Sequence, residues 1–102
     1  MRYRVIFSPE ADAQLVGIYR HIAGQASPAI AERFTTAIVD YCEAFDTFPH
    51  RGAKRDDLRP GLRIIGFRRR VTIAFTVEQD NVTIIGVFYG GQDYEAAFQL
   101  DE

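Results

Sequence analysis

Midway along the sequence the spacing of apolar residues changes from a helical period of about 3.6 to a strand period of 2, and that change decides the fold class. Before it, Ala11, Leu15, Ile18, Tyr19 and Ile22 recur at steps of 4, 3, 1 and 3. Ile30, Phe34, Ile38, Tyr41, Phe45 and Phe48 follow at steps of 4, 4, 3, 4 and 3, so each set makes one apolar stripe on a helix. Both helices carry the same start signal, Ser8-Pro9-Glu10 and Ser27-Pro28. The serine hydroxyl accepts a backbone N–H, and proline at the first helical position gives up no hydrogen bond that the helix would have made. Glu10 adds a favourable charge at the positive end of the helix. Gly24 is placed to end the first helix and Pro49 the second, and the short link Gly24 to Ala26 predicts an antiparallel helical hairpin.

Beyond residue 60 the pattern is that of strands. Gly61 to Phe67 reads as one strand, and Val71, Ile73, Phe75 and Val77 alternate with Thr72, Ala74 and Thr76 in the next. After a tight turn at Glu78 to Asn81, Val82 to Tyr89 is almost wholly apolar, as in a central strand covered on much of both faces and paired in a hairpin with its predecessor. Arg2 to Phe7 also alternates, with Tyr3, Val5 and Phe7 on one face. Gly90-Gly91 breaks the last strand, and Asp93 to Leu100 is expected to form a short terminal helix. The order β-αα-βββ predicts an α+β fold with an antiparallel sheet packed against the helical hairpin. With 102 residues, 47% of them hydrophobic, the chain suits a single domain over residues 1–102 with no deep substrate cavity to spare from its core.

Charge is placed unevenly. From His50 to Arg70 there are 8 basic residues against 2 acidic ones, and the remainder holds 4 basic and 12 acidic residues. The basic set is Arg51, Lys54, Arg55, Arg59, Arg63, Arg68, Arg69 and Arg70. Arginine grips carboxylates and phosphates bidentately, so an acidic protein partner or nucleic acid is expected there, provided that folding gathers these side chains into one area. Asp56 and Asp57 are placed to anchor the loop by pairing with arginine neighbours. A solvated face is the plainer alternative.

Other chemistry finds little support. His21 and His50 lack a second ligand at metal spacing, so no metal is expected, and Gly90-Gly91 matches no phosphate-binding or dinucleotide fingerprint, so no cofactor is expected. The one cysteine, Cys42, falls mid-helix as a small core residue and fits a reducing compartment. No apolar run approaches the roughly 20 residues that cross a bilayer, and Met1-Arg2-Tyr3-Arg4 leads into a strand rather than a signal peptide, so no membrane contact and a cytoplasmic location are expected. Metal-free RNA cleavage needs a general base, a proton donor to the leaving oxygen and cations on the phosphorane. His50, Arg63, Arg69 and Tyr94 (or Tyr89) are the candidates for those roles, and nothing in the spacing shows that they converge.

Six segments in order carry a resemblance over nearly the whole chain. They are Tyr3-Arg4-Val5-Ile6-Phe7, Ser8-Pro9-Glu10-Ala11, Ile18-Tyr19, Phe48-Pro49-His50-Arg51-Gly52, Asp56-Asp57-Leu58-Arg59-Pro60-Gly61-Leu62-Arg63 and Val87-Phe88-Tyr89-Gly90-Gly91-Gln92-Asp93. Together they resemble the ParE branch of the RelE/ParE toxin superfamily. The resemblance implies the toxin half of a type II toxin-antitoxin pair, neutralised by a ParD-like antitoxin in a heterotetramer or larger hetero-oligomer. It also implies poisoning of DNA gyrase, with DNA contacted only through gyrase or the antitoxin. An acidic, amphipathic antitoxin tail is then expected to lay its apolar face on the hairpin or sheet and its carboxylates near Arg59, Arg63, Arg69 and Arg70. RelE-like relatives instead cleave mRNA on the ribosome with a Lys and Arg cluster and a tyrosine near the C-terminus. Here the only lysine is Lys54, and the segment from Asp93-Tyr94-Glu95 to Asp101-Glu102 is acidic and would repel a phosphate, which favours the gyrase activity.

Overall fold

Ser8 and Ser27 begin the two long helices as N-caps. Each hydroxyl accepts a backbone N–H at 3.1 Å, Ser8 from Ala11 and Ser27 from Ile30. In the computed structural model, which describes residues 2–99, the chain runs through β1 (Arg4–Phe7), α1 (Pro9–Gln25), α2 (Pro28–Glu43) and a 3-10 turn (Ala44–Asp46). It continues through β2 (Ala53–Lys54), β3 (Leu62–Phe67), β4 (Val71–Glu78), β5 (Asn81–Tyr89) and α3 (Tyr94–Gln99). Leu100, expected at the end of the last helix, and the acidic pair Asp101 and Glu102 lie outside the described residues.

Two helix ends differ from expectation. Helix α1 passes through Gly24 to Gln25, because what stops it is Pro28: the residue before a proline is driven out of helical geometry, and Ser27 is extended at φ −163 and ψ 158. Helix α2 ends at Glu43 and the 3-10 turn that follows closes at Asp46, so Phe45 lies within helical geometry and Phe48 beyond it. Phe45 is therefore fully buried while Phe48, expected on the same stripe, is 74% exposed.

The sheet has five strands in the order β1-β5-β4-β3-β2. The hairpins β3–β4 and β4–β5 are antiparallel as expected, but β1 lies parallel to β5, from Arg4 opposite Asn81 to Phe7 opposite Ile84, so the sheet is mixed rather than antiparallel. Alternation along one strand fixes its two faces but not its neighbour or direction, which here follow from the long crossover through both helices. The two-residue β2, read as loop from the sequence, pairs with β3 through Ala53 to Ile64 and Lys54 to Arg63.

Both faces of the sheet are covered. On one, Ala11, Ile18, Ile38, Cys42 and Phe45 from the helical side pack on Val71, Ile73, Phe75, Val82, Ile84 and Val87. On the other, Leu62, Ala74 and Phe88 sit beneath Leu58 and the α3 residues Tyr94 and Phe98. This second, smaller layer explains why β5 is apolar along nearly its whole length.

Candidate functional site

The eight basic residues fall into three groups. At the start of β3, Lys54 stands opposite Arg63 in register, so their side chains share one face of the sheet. The Arg63 Nη1 donates to the Arg51 carbonyl at 3.3 Å, and the Arg51 guanidinium lies 5.3 and 5.0 Å from the Tyr41 and Phe45 rings. Such stacking satisfies part of the Arg51 charge within the molecule. At the other end of β3, Arg68, Arg69 and Arg70 form the exposed turn into β4, with Arg68 and Arg69 at φ 52 and 62. The Arg70 carbonyl accepts from Gly90 N at 2.7 Å, and the Arg68 guanidinium lies 4.9 Å from the Phe67 ring. From Arg63 to Phe67 the strand itself spans roughly 13 Å at its usual rise, so these two groups are held apart.

The third group lies on the α3 face. Arg55 donates from Nε and Nη2 to the Asp57 carboxylate at 3.0 and 2.8 Å, and its Nη1 reaches the Tyr94 hydroxyl at 2.9 Å and Glu95 at 2.7 Å. These bonds raise the Arg55 pKa still further and hold the Asp57 carboxyl below the usual carboxylate range. Arg59 lines a cavity with Ser8, Glu10 and Phe98 on this same face. Asp56 anchors its loop by accepting from Gly61 N at 2.9 Å rather than from an arginine. The expectation of one contiguous basic area is thus not met: β3 acts as a stiff spacer, and the 55–61 loop carries Arg55 and Arg59 to the opposite face.

The four candidates for RNA cleavage do not come together as a set, although His50 directly precedes Arg51, whose carbonyl takes the Arg63 guanidinium. His50 is exposed and meets Tyr3 edge-on at 6.1 Å, Arg63 sits at the start of β3, Arg69 in the turn at its end, and Tyr94 on α3. Tyr89 packs edge-on against His21 at 5.6 Å and Phe34 at 5.8 Å. Cys42 is fully buried, and burial, with a smaller contribution from Glu43, pushes its thiol up to about 12, so it is a core residue as expected. Among the described residues no three His, Cys, Asp or Glu side chains are placed to hold a metal ion, and no helix is long and apolar enough to cross a membrane.

Sequence periodicity did not reveal the hairpin's outer surface. Leu15, Val16, Tyr19, Thr35, Thr36 and Val39 line an apolar groove of about 370 Å³ between α1 and α2, with Val16 49% exposed. Val16 falls off the inward stripe, and an isolated off-stripe valine was the signal available. Two further cavities, of about 510 and 490 Å³, flank the outer edge of β5.

A family model described as the ParE toxin of the type II toxin-antitoxin system parDE matches residues 5–94. The chain belongs to the ParE toxin family. Of the solved structures, a chain described as the chromosomal ParDE TA system from P. aeruginosa superposes with a TM-score of 0.76 at 22% identity, covering 87% of this chain and 97% of that one. That likeness establishes a shared fold. No curated protein sequence matches the chain. The ParE family match stops at Tyr94, so Glu95, which takes the Arg55 guanidinium, and the remainder of α3 lie past it in this ParE toxin.

Proposed function

We propose that this ParE toxin acts by binding rather than by breaking a bond: it poisons DNA gyrase by trapping the enzyme on cleaved DNA, and a ParD-like antitoxin neutralises it. The observation that carries the non-enzymatic reading is that Arg69 and Tyr94 are held away from His50 and Arg63. General base, general acid and phosphorane-stabilising cation must all come within about 3 Å of one phosphate; His50 and Arg63 come near each other at the start of β3, but Arg69 stands in the turn at its far end and Tyr94 on the α3 face.

The same geometry supports two separate contact areas. The groove of Leu15, Val16, Tyr19 and Val39 fits the apolar face of an amphipathic antitoxin helix. The exposed Arg68, Arg69 and Arg70 turn, with Arg63 and Lys54 at the other end of β3, presents cations to acidic residues of the antitoxin or of gyrase, and DNA is reached only through those proteins. The toxin then works in the cytoplasm, in a complex with its antitoxin that is a heterotetramer or larger. Induced expression of the toxin alone in bacteria tests this. DNA synthesis is expected to stop before protein synthesis, with growth restored by co-expressing the small protein encoded in the neighbouring reading frame. Cleavage of ribosome-bound mRNA as the first event would overturn the proposal.

A further inference from the structure

Strand β1 accompanies β5 as far as Ile84, and among the described residues no strand covers the outer edge of the next stretch, Ile85 to Tyr89. Two N–H groups on this edge are taken by side chains instead. Gln14 Oε1 accepts from Val87 N at 2.7 Å, and Gln92 Oε1 accepts from Tyr89 N at 2.8 Å. Val87 and Tyr89 are two residues apart, the spacing at which the carbonyls of an added strand would take these donors. Glutamine side chains can rotate away without disrupting a helix or strand, so the two donors are satisfied and yet open to exchange.

The space along this edge has the shape that a strand requires. On the helix side lies the cavity of about 510 Å³ lined by Gly17, Ile18, His21 and Tyr89. On the α3 side lies the cavity of about 490 Å³ lined by Ile85, Phe88, Phe98 and Arg59, and Gln14 borders both. Side chains of a strand point alternately to its two faces, so a segment laid beside β5 would send one set into each cavity. Gly17, Gly90 and Gly91 leave the helix-side cavity open, since a Cβ at any of them would meet nothing within 4 Å.

We propose that an extended segment of the antitoxin adds as a strand along Ile85 to Tyr89, with its carbonyls replacing Gln14 and Gln92 as acceptors for Val87 and Tyr89. This rests on the toxin-antitoxin reading above and specifies a second, backbone-mediated contact. Continuity and charge select this occupant. Val16 in the outer groove and Gly17 in the edge cavity are adjacent on α1, so one chain passes from the helix-binding groove over α1 to the edge. At the Tyr89 end, the Gly90 N to Arg70 carbonyl bond ties β5 to the exposed Arg68 to Arg70 turn, which matches an acidic run following the strand. The segment carries small side chains toward Gly17 and apolar ones toward Ile85, Phe88 and Phe98.

Residue-resolved amide hydrogen exchange on the toxin, alone and with the neighbouring-frame antitoxin, tests this with three variants. In free toxin, Gln14→Ala is expected to speed exchange of the Val87 amide at least tenfold, and Gln92→Ala that of Tyr89. Complex formation is expected to return both to slow exchange. Gly17→Leu fills the helix-side cavity and is expected to weaken antitoxin affinity at least tenfold while the thermal melt holds or rises, leucine being the better helix former. If the complex forms with unchanged affinity in Gly17→Leu and the Val87 amide stays fast in the Gln14→Ala complex, strand addition is wrong and the toxin-antitoxin reading stands. If the unaltered chain forms no complex, both fall. Protection of Val87 through a dimer of free toxin would make a second copy the occupant and overturn the antitoxin assignment.

Discussion

Arg55 uses its guanidinium inside the molecule, joining Asp57, the Tyr94 hydroxyl and Glu95, and so ties α3 to the loop before β3. Removing it in Arg55→Ala is expected to speed amide exchange across α3 while leaving the overall melting temperature nearly unmoved, because the Phe88 and Phe98 contact remains. Folding lowers the Asp57 pKa, so its contribution is fully present above the ordinary aspartate value of about 4 and is lost as pH falls through the depressed one. NMR signals of the Tyr94 ring, followed down an acid titration, should therefore begin to shift below pH of about 4. Cys42 behaves oppositely to a reactive thiol: with its pKa pushed up to about 12 by burial it stays protonated at pH 8. Iodoacetamide is expected to label it at a rate set by unfolding, and fast labelling of the native protein would contradict the packing. Phe45, fully buried between Tyr41 and Phe75, should cost about 3–5 kcal/mol when replaced by alanine, measured by urea unfolding.

Local chemistry made the elements readable. The Ser8 and Ser27 caps, the inward Ala11 and Ile18, and the alternating β4 depend on residues within one turn or one strand of each other, and each is where the sequence places it. Ser8→Ala is accordingly expected to cost about 1 kcal/mol of stability. What was not readable depends on distant partners. The parallel seat of β1 beside β5, the exposure of Phe48 after the change to a 3-10 turn, and the pairing of β2 are all set by how remote segments meet. Gly52 illustrates the last: at φ 75 it lies so near the Ile64 carbonyl oxygen that a Cβ would collide with it. Gly52→Ala should destabilise by more than about 1 kcal/mol and free β2 from β3, which amide exchange at Lys54 would register.

Across the whole molecule, the identities of the basic residues were legible in the sequence but their grouping was not. A run of arginines in sequence becomes a patch only if the backbone between them folds back, and here β3 carries Arg63 and Arg69 to opposite ends. Charge reversal at these two sites is therefore expected to be additive in antitoxin binding energy, since side chains more than about 10 Å apart rarely couple. Because Arg69 is exposed, Arg69→Glu should act mainly on the association rate, with the loss fading as salt is raised. In the function proposed above, the apolar groove between α1 and α2 and the separated cations serve a protein that works by occupying surfaces. The direct test is a supercoiling assay with purified gyrase, toxin and antitoxin. Toxin alone is predicted to inhibit supercoiling and accumulate linear DNA, with antitoxin reversing both; unaffected gyrase alongside site-specific cuts in ribosome-bound mRNA would contradict the account.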